Sequence, residues 1–110
     1  MKGTSLGEFE ELVLLAVAVL DQNAYGVAIM DEISSRVNRT VTISTVHSTL
    51  NRLETKGFLK SRLGGATKDR GGRSKRFFVI TTYGKKALEE TKELRNSMWQ
   101  DISKLAWERL

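Results

Sequence analysis

The chain has no cysteine and no proline, and it has one histidine among 110 residues. Without cysteine there is no disulfide, no thiolate metal site and no thiol redox switch. Without proline no helix has to be kinked, which suits a mostly helical chain. A lone histidine, His47, finds no metal partners or catalytic base–carboxylate arrangement in its neighbours Ser44, Thr45 and Ser48. The longest apolar run, LVLLAVAVL, covers residues 12–20. Nine residues do not span a bilayer, which needs about 20. Glu8, Glu10 and Glu11 precede the run where a signal peptide would carry positive charge, so the expected location is cytoplasmic.

What is present is positive charge, unevenly placed. Eighteen Lys and Arg against thirteen Asp and Glu give a formal net charge of +5. Residues 60–76 hold seven of those basic residues and a single acid, so the remainder of the chain is close to neutral. A local basic patch points to an anionic partner, most often nucleic acid and less often an acidic membrane surface. The patch also carries glycines, in GGATKDRGGRSKRFFVI at residues 64–80. Such a stretch could cradle a nucleotide phosphate, be a tail, or be the tip of a hairpin. A phosphate-binding loop ends in Gly-Lys-Ser/Thr and opens onto a helix. Here Gly72-Arg73-Ser74-Lys75 opens onto Arg76-Phe77-Phe78-Val79-Ile80, an aromatic and β-branched strand pattern.

Periodicity supplies the surroundings of that hairpin. Ser5-Leu6-Gly7-Glu8 reads as a capping box, followed by Phe9, Leu12, Val13, Ala16 and Leu20 at helical spacing, with Leu14 and Val17 widening the apolar surface. Asp21-Gln22-Asn23 breaks this helix, and Tyr25, Ile29, Ile33 and Val37 mark a second. A third has Thr42 as N-cap, Ile43, Val46, Leu50 and Leu53 as its apolar stripe, and Gly57 as its C-terminal stop. Leu59, Ser61 and Leu63 alternate with Lys60 and Arg62 as the first strand of the hairpin. Thr82 caps a last helix, expected to continue unbroken to residue 110. At 1.5 Å per residue it would be roughly 40 Å long and overhang a body about 25 Å across.

The fold class expected is therefore α+β, mainly helical with a small β-hairpin: a winged helix-turn-helix at residues 1–81 and a C-terminal dimerisation helix at residues 82–110. In such folds the third helix enters the DNA major groove and the hairpin reaches the adjacent backbone or minor groove. The third helix shows Thr42, Ser44, Thr45, His47, Ser48, Asn51 and Arg52 opposite its apolar stripe, and no acid from residue 43 to residue 53. Solvated helix faces are usually rich in Glu and Lys. Short hydrogen-bonding side chains instead allow close approach, and Asn and Arg can make bidentate contacts to adenine and guanine edges. Lys68, Arg70, Arg73, Lys75 and Arg76 in the hairpin would neutralise phosphates, which gives affinity and salt dependence rather than discrimination. The overhanging stripe of Leu94, Met98, Trp99, Ile102 and Leu105 fits a second copy across a two-fold axis. Trp99 and Trp107 lie on one broad side of a continuous helix. A flat apolar effector would find an aromatic face at Trp99, beside Phe9 or Val13 of the first helix. Neither a cofactor nor a metal is expected, nor an enzyme: the Glu8, Glu10 and Glu11 cluster suits the dipole of a first helical turn.

The stretches LGEFEELVLLAVAVL, AYGVAIMDEIS, TVTISTVHSTLNRLETKGFLKSRLG and RGGRSKRFFVIT, in that order over residues 5–90, resemble the PadR family of bacterial winged-helix regulators. A single helix after the hairpin resembles the smaller subgroup of that family. The resemblance implies a homodimeric repressor on a pseudo-palindromic double-stranded DNA operator, released by a small, often aromatic effector. It implies a recognition helix at residues 43–56, a wing at 64–75, and a phosphate contact near Tyr25 at the start of the second helix. His47 departs from the family at a position where many members carry Tyr, beside the DNA-facing surface, which bears on operator preference. The alternative reading is a winged helix that binds protein, its basic hairpin meeting an acidic partner.

Overall fold

In the computed structural model, which describes residues 4–64 and 75–110, α1 (Glu8–Leu20) is followed by a 3-10 turn (Asp21–Asn23) and then α2 (Gly26–Arg36) and α3 (Ile43–Thr55). The hairpin strands β1 (Leu59–Leu63) and β2 (Arg76–Ile80) come next, and α4 (Thr82–Asp101) and α5 (Lys104–Glu108) complete the chain. The result is a mostly helical winged-helix fold with one antiparallel hairpin.

The start of α1 differs from the capping box expected at Ser5. Gly7 is the N-cap, and the Glu10 carboxylate accepts a hydrogen bond from the Gly7 N–H at 2.8 Å. Ser5 lies two residues too early. The reaching-back half of a capping box is made by Glu10 alone, because glycine has no side chain to return the bond. Val13, Leu14, Ala16 and Val17 are buried, on adjoining faces of the helix.

α3 follows the sequence closely. Thr42 Oγ1 accepts from the Thr45 N–H at 3.2 Å, and Val46, Leu50 and Leu53 are fully buried. Ile43, at the head of the expected stripe, is exposed, while Thr49 is buried. Gly57 adopts φ +86°, and the Phe58 and Gly57 N–H groups close the helix onto the carbonyls of Leu53 and Glu54. This left-handed stop turns the chain directly into β1 and drives Phe58 into the core.

β1 and β2 pair antiparallel, Leu59 opposite Ile80 and Leu63 opposite Arg76. The other edge of β2 is covered by a short segment that periodicity does not reveal. Phe78 N–H donates to Ala24 O at 2.8 Å, and Tyr25 forms a bridge to Phe77. The link between α1 and α2 is thus a rudimentary third strand, and it ties the helix-turn-helix to the wing.

Thr81, one residue before the expected Thr82, caps α4: its hydroxyl accepts from Gly84 N–H and donates to Gly57 O. Only Gly84 and Ala87 of α4 are buried, so the second half of the helix overhangs. The molecule measures 61 Å along its longest axis. The unbroken helix to residue 110 is not observed. α4 ends at Asp101, Ile102 is extended (ψ 119°), and Ser103 Oγ accepts from Ala106 N–H to start α5. A serine hydroxyl at this point offers the backbone an alternative to helix continuation. The elbow brings Trp99 and Trp107 into a stack, centroids 5.7 Å apart and planes 26° apart. In a continuous helix eight residues would separate them by about 12 Å.

The first turn of α4 sits on the Phe58 backbone so closely that a Cβ on Gly84 would lie 2.2 Å from Phe58 O. Gly84→Ala is expected to lower stability by about 3 kcal/mol in chemical denaturation, the upper end of overpacking penalties. Gly57→Ala, which strains only a positive φ, should cost about 1 kcal/mol.

Candidate nucleic-acid interface

One side of α3 is exposed along most of its length. Thr42, Ser44, Thr45, His47, Ser48, Asn51 and Arg52 are all exposed, while the opposite side supplies core residues. The hydroxyls at its head are organised locally: Thr42 Oγ1 lies 2.8 Å from Thr45 Oγ1, and Ser48 Oγ donates to Thr45 O at 3.2 Å.

Two neighbours set the angle at which α3 stands. On the α2 side, a Cβ on Gly26 would come within 2.8 Å of His47 Cε1, so the His47 ring rests against bare backbone at the start of α2. On the α1 side, buried Glu10 accepts from Arg52 Nε at 3.0 Å and from Lys56 Nζ at 2.8 and 3.0 Å. Burial pushes the Glu10 carboxyl up, but hydrogen bonds from Lys56, the Gly7 N–H and Arg52 outweigh it and hold the pKa at about 2 instead of the usual 4.5. Arg52, expected as a base reader from its position on the helix, is thus an ion-pair partner of α1.

The hairpin divides by the alternation of its strands. On the α3 side, Arg76 Nη2 meets Glu54 Oε1 at 2.7 Å and Arg76 Nε donates to Ser61 Oγ at 3.0 Å. Ser61 Oγ in turn donates to Glu54 Oε2 at 2.7 Å, closing a ring that locks the wing base to α3. Arg76 is therefore engaged within the fold. On the other side Arg62 lies over Phe77 at 5.3 Å, Phe77 meets Tyr25 edge-on at 5.6 Å, and Lys75 Nζ stands 3.8 Å from the Tyr25 ring centre. The fold thus brings the two expected contacts Tyr25 and Lys75 together, and adds Arg62. Arg62 is legible in the sequence as an outward position of an alternating strand; Glu10 and Glu54 are not, because acids in a helix give no sign of their partners. Lys68, Arg70 and Arg73 lie outside the described residues.

At the far end, Leu94, Met98, Trp99 and Leu105 are each more than 60 % exposed, and Ile102 is exposed beside them. The expected grouping of Trp99 with Phe9 and Val13 is not formed: Val13 is in the core, and Phe9 lies under the Arg39 guanidinium. Trp99 instead lines a groove of about 400 Å³ with Glu11, Leu15, Leu88 and Arg95. Among the described residues no group of three or more His, Cys, Asp or Glu could hold a metal ion, and no helix is long and apolar enough to cross a membrane.

The model of the transcriptional regulator PadR-like family matches residues 14–90, from α1 through the first half of α4. The chain belongs to that family. PadR proteins are DNA-binding transcription regulators, not enzymes. Solved structures share the fold: a PadR-like transcription factor from Bacteroides fragilis superposes with a TM-score of 0.70 at 19 % identity, over 86 % of this chain and 85 % of that one. A PadR-like regulator from Bacillus cereus gives 0.70 at 18 %, over 88 % and 89 %. The Aeropyrum pernix Orc1 protein, solved in complex with DNA, gives 0.63 at 21 %, over 84 % of this chain and 26 % of that one. Comparison with curated proteins gives no significant match.

A depressed carboxyl pKa stabilises the fold above the unfolded value and ceases to do so as pH falls through the folded value. The Glu10 contribution should therefore be complete above about pH 5 and be lost between about pH 4.5 and 2. Glu10→Gln should cost about 2 kcal/mol at pH 7, as expected for charged hydrogen bonds, and almost nothing near pH 2. Denaturant titrations of both proteins across this range check the difference.

Proposed function

We propose that this PadR protein is a homodimeric repressor that binds a pseudo-palindromic operator through Ser44, Thr45, His47, Ser48 and Asn51 of α3. The observation that carries the reading is an exposed face of α3, free of acid from residue 43 to residue 53, flanked by a hairpin that carries Arg62 and Lys75. Thr42 caps the helix as it meets the groove, and Tyr25, Lys75 and the wing arginines hold the backbone. Orc1 supports the reading as a chain of the same fold found on DNA. The protein acts in the cytoplasm, with residues 1–81 as the DNA-binding unit and residues 82–110 as the dimerisation unit. The exposed apolar side of α4 and α5 supports pairing, since a contiguous apolar surface of this kind marks an interface. Leu94, Met98, Trp99, Ile102 and Leu105 form it, with the exposed Leu15 of α1 beside Trp99. A flat apolar effector stacks on Trp99 in the groove beside Leu15 and Leu88, and releases the DNA by changing how the two copies pair.

Retention on random duplex DNA should fall steeply as salt rises, and no retention at low salt would sink the reading in favour of a protein-binding winged helix. Arg73→Ala should weaken binding to every sequence and flatten the log–log salt slope by about 1. Asn51→Ala should mainly relax base preference at one position per half-site, by about 1–3 kcal/mol. Sequences selected from a random duplex pool measure both effects; uniform losses from both variants would remove the division between wing and helix.

Replacing Leu94 and Leu105 by Glu places charge in the proposed interface and should yield a monomer in sedimentation. The helical circular dichroism of the winged-helix body should survive.

A further inference from the structure

We infer that Glu10 restricts base reading to the N-terminal two-thirds of α3, by holding Arg52 and Lys56 back from the DNA. The inference rests on the DNA-binding reading of α3 and goes beyond it, since it assigns specificity to an acid that never meets DNA.

The geometry has three parts. First, Glu10 cannot follow the two cations outward. Its side chain is only 8 % exposed, and its carboxylate is also tied to the Gly7 N–H at the start of α1. Drawing Arg52 and Lys56 away would leave a buried carboxylate with a single backbone donor, which is a costly state. Second, the bonds tether both cations to one acid while their side chains stay about half exposed. Lys56 Nζ contacts both carboxylate oxygens, while Arg52 gives Nε to Glu10 and lies with Nη2 at 3.5 Å from Oγ1 of buried Thr49. The Nε edge of the guanidinium is thus turned towards α1.

Third, the positions on the helix agree. At about 100° per residue, Ser44, His47, Ser48 and Asn51 fall within an arc of roughly 100°, while Thr45, about 100° round from Ser44, faces outward in the first turn of the helix. Arg52 and Lys56 lie about 80° and 120° round from Ser44, on the flank that faces α1. The groove-facing stripe keeps short neutral hydrogen-bonding side chains, and the long cations are drawn to the side. A free lysine or arginine adds phosphate attraction on any sequence. Neutralising two of them lowers sequence-independent binding while leaving base contacts intact, which raises the ratio on which discrimination depends.

The test compares wild type, Arg52→Ala, Lys56→Ala, Glu10→Gln and the triple variant combining all three. Each is titrated across salt against a random duplex and against a duplex selected by the wild type. Arg52→Ala and Lys56→Ala, both at exposed positions, should leave the random-duplex salt slope within about 0.3 of wild type and the base preference within twofold. Glu10→Gln should free both cations, steepen the slope by up to about 1.8, and raise random-duplex affinity roughly tenfold or more at low salt. The triple variant should return the slope to the wild-type value, a rescue that a merely structural role for Glu10 would not produce.

The inference is overturned if Arg52→Ala flattens the slope by about 1 or changes the preferred base, since Arg52 would then be a contact itself. It is also overturned if Glu10→Gln folds and leaves the slope unchanged, or if the triple variant stays steep. Should Glu10→Gln not fold, the two alanine variants still decide. Failure of the wild type to bind any duplex would instead remove the DNA reading of α3.

Discussion

Every part of this protein depends on how α3 is held. A helix with one bare side has to be held by its other side, and the buried side of α3 is narrow: Val46, Leu50, Leu53 and Thr49. So thin a stripe resists sliding but not rolling. Rotation is resisted from three directions, each by a different kind of contact. Gly26 of α2 lets the His47 ring approach bare backbone, Glu10 of α1 pairs with Arg52 and Lys56, and the Glu54–Ser61–Arg76 ring fastens the wing. Together they fix which residues face outward, since a turn of about 100° on a helix would advance the exposed face by one residue.

Charge in the protein is arranged around the same helix. The acids closest to α3 are not scattered in solvent but placed where each absorbs a cation of the recognition helix or the wing base. Cations with no acid beside them among the described residues, such as Arg62 and Lys75, rest on aromatic rings that also join α2 to β2. Positive charge is thereby sorted into a part that shapes the fold and a part left on the surface. A net charge of +5 therefore says less about DNA binding than the location of the cations that remain unneutralised.

The distal end obeys a different constraint. Beyond Ala87, α4 buries no residue and meets α1 through Leu88 and the Arg95–Glu11 ion pair, and an apolar stripe in water demands cover. Part of that demand is met within the chain, because the Ser103 elbow folds Trp107 onto Trp99. The remaining apolar residues stay bare on the same end.

Helix order, the hairpin, Thr42 and Gly57 were all legible in the sequence, because periodicity, caps and stops are local properties encoded within a few residues. So was membership of a DNA-binding family, since the motifs that carry it are contiguous. Three things were not legible. The Ser103 elbow escaped because serine is tolerated inside helices, and only the stacking of Trp107 on Trp99 tips the balance at that point. The third strand at Ala24 and Tyr25 escaped because two residues have no period. The fate of Arg52 and Arg76 escaped for a more general reason. A side chain's place on its own helix or strand tells which way it starts out, and the sequence alone determined that much for both arginines. Where each one ends depends on an acid brought near by packing, Glu10 from 42 residues away and Glu54 from 22. Electrostatic partners act through space at a few ångströms with no fixed spacing along the chain, so only the tertiary structure could decide them.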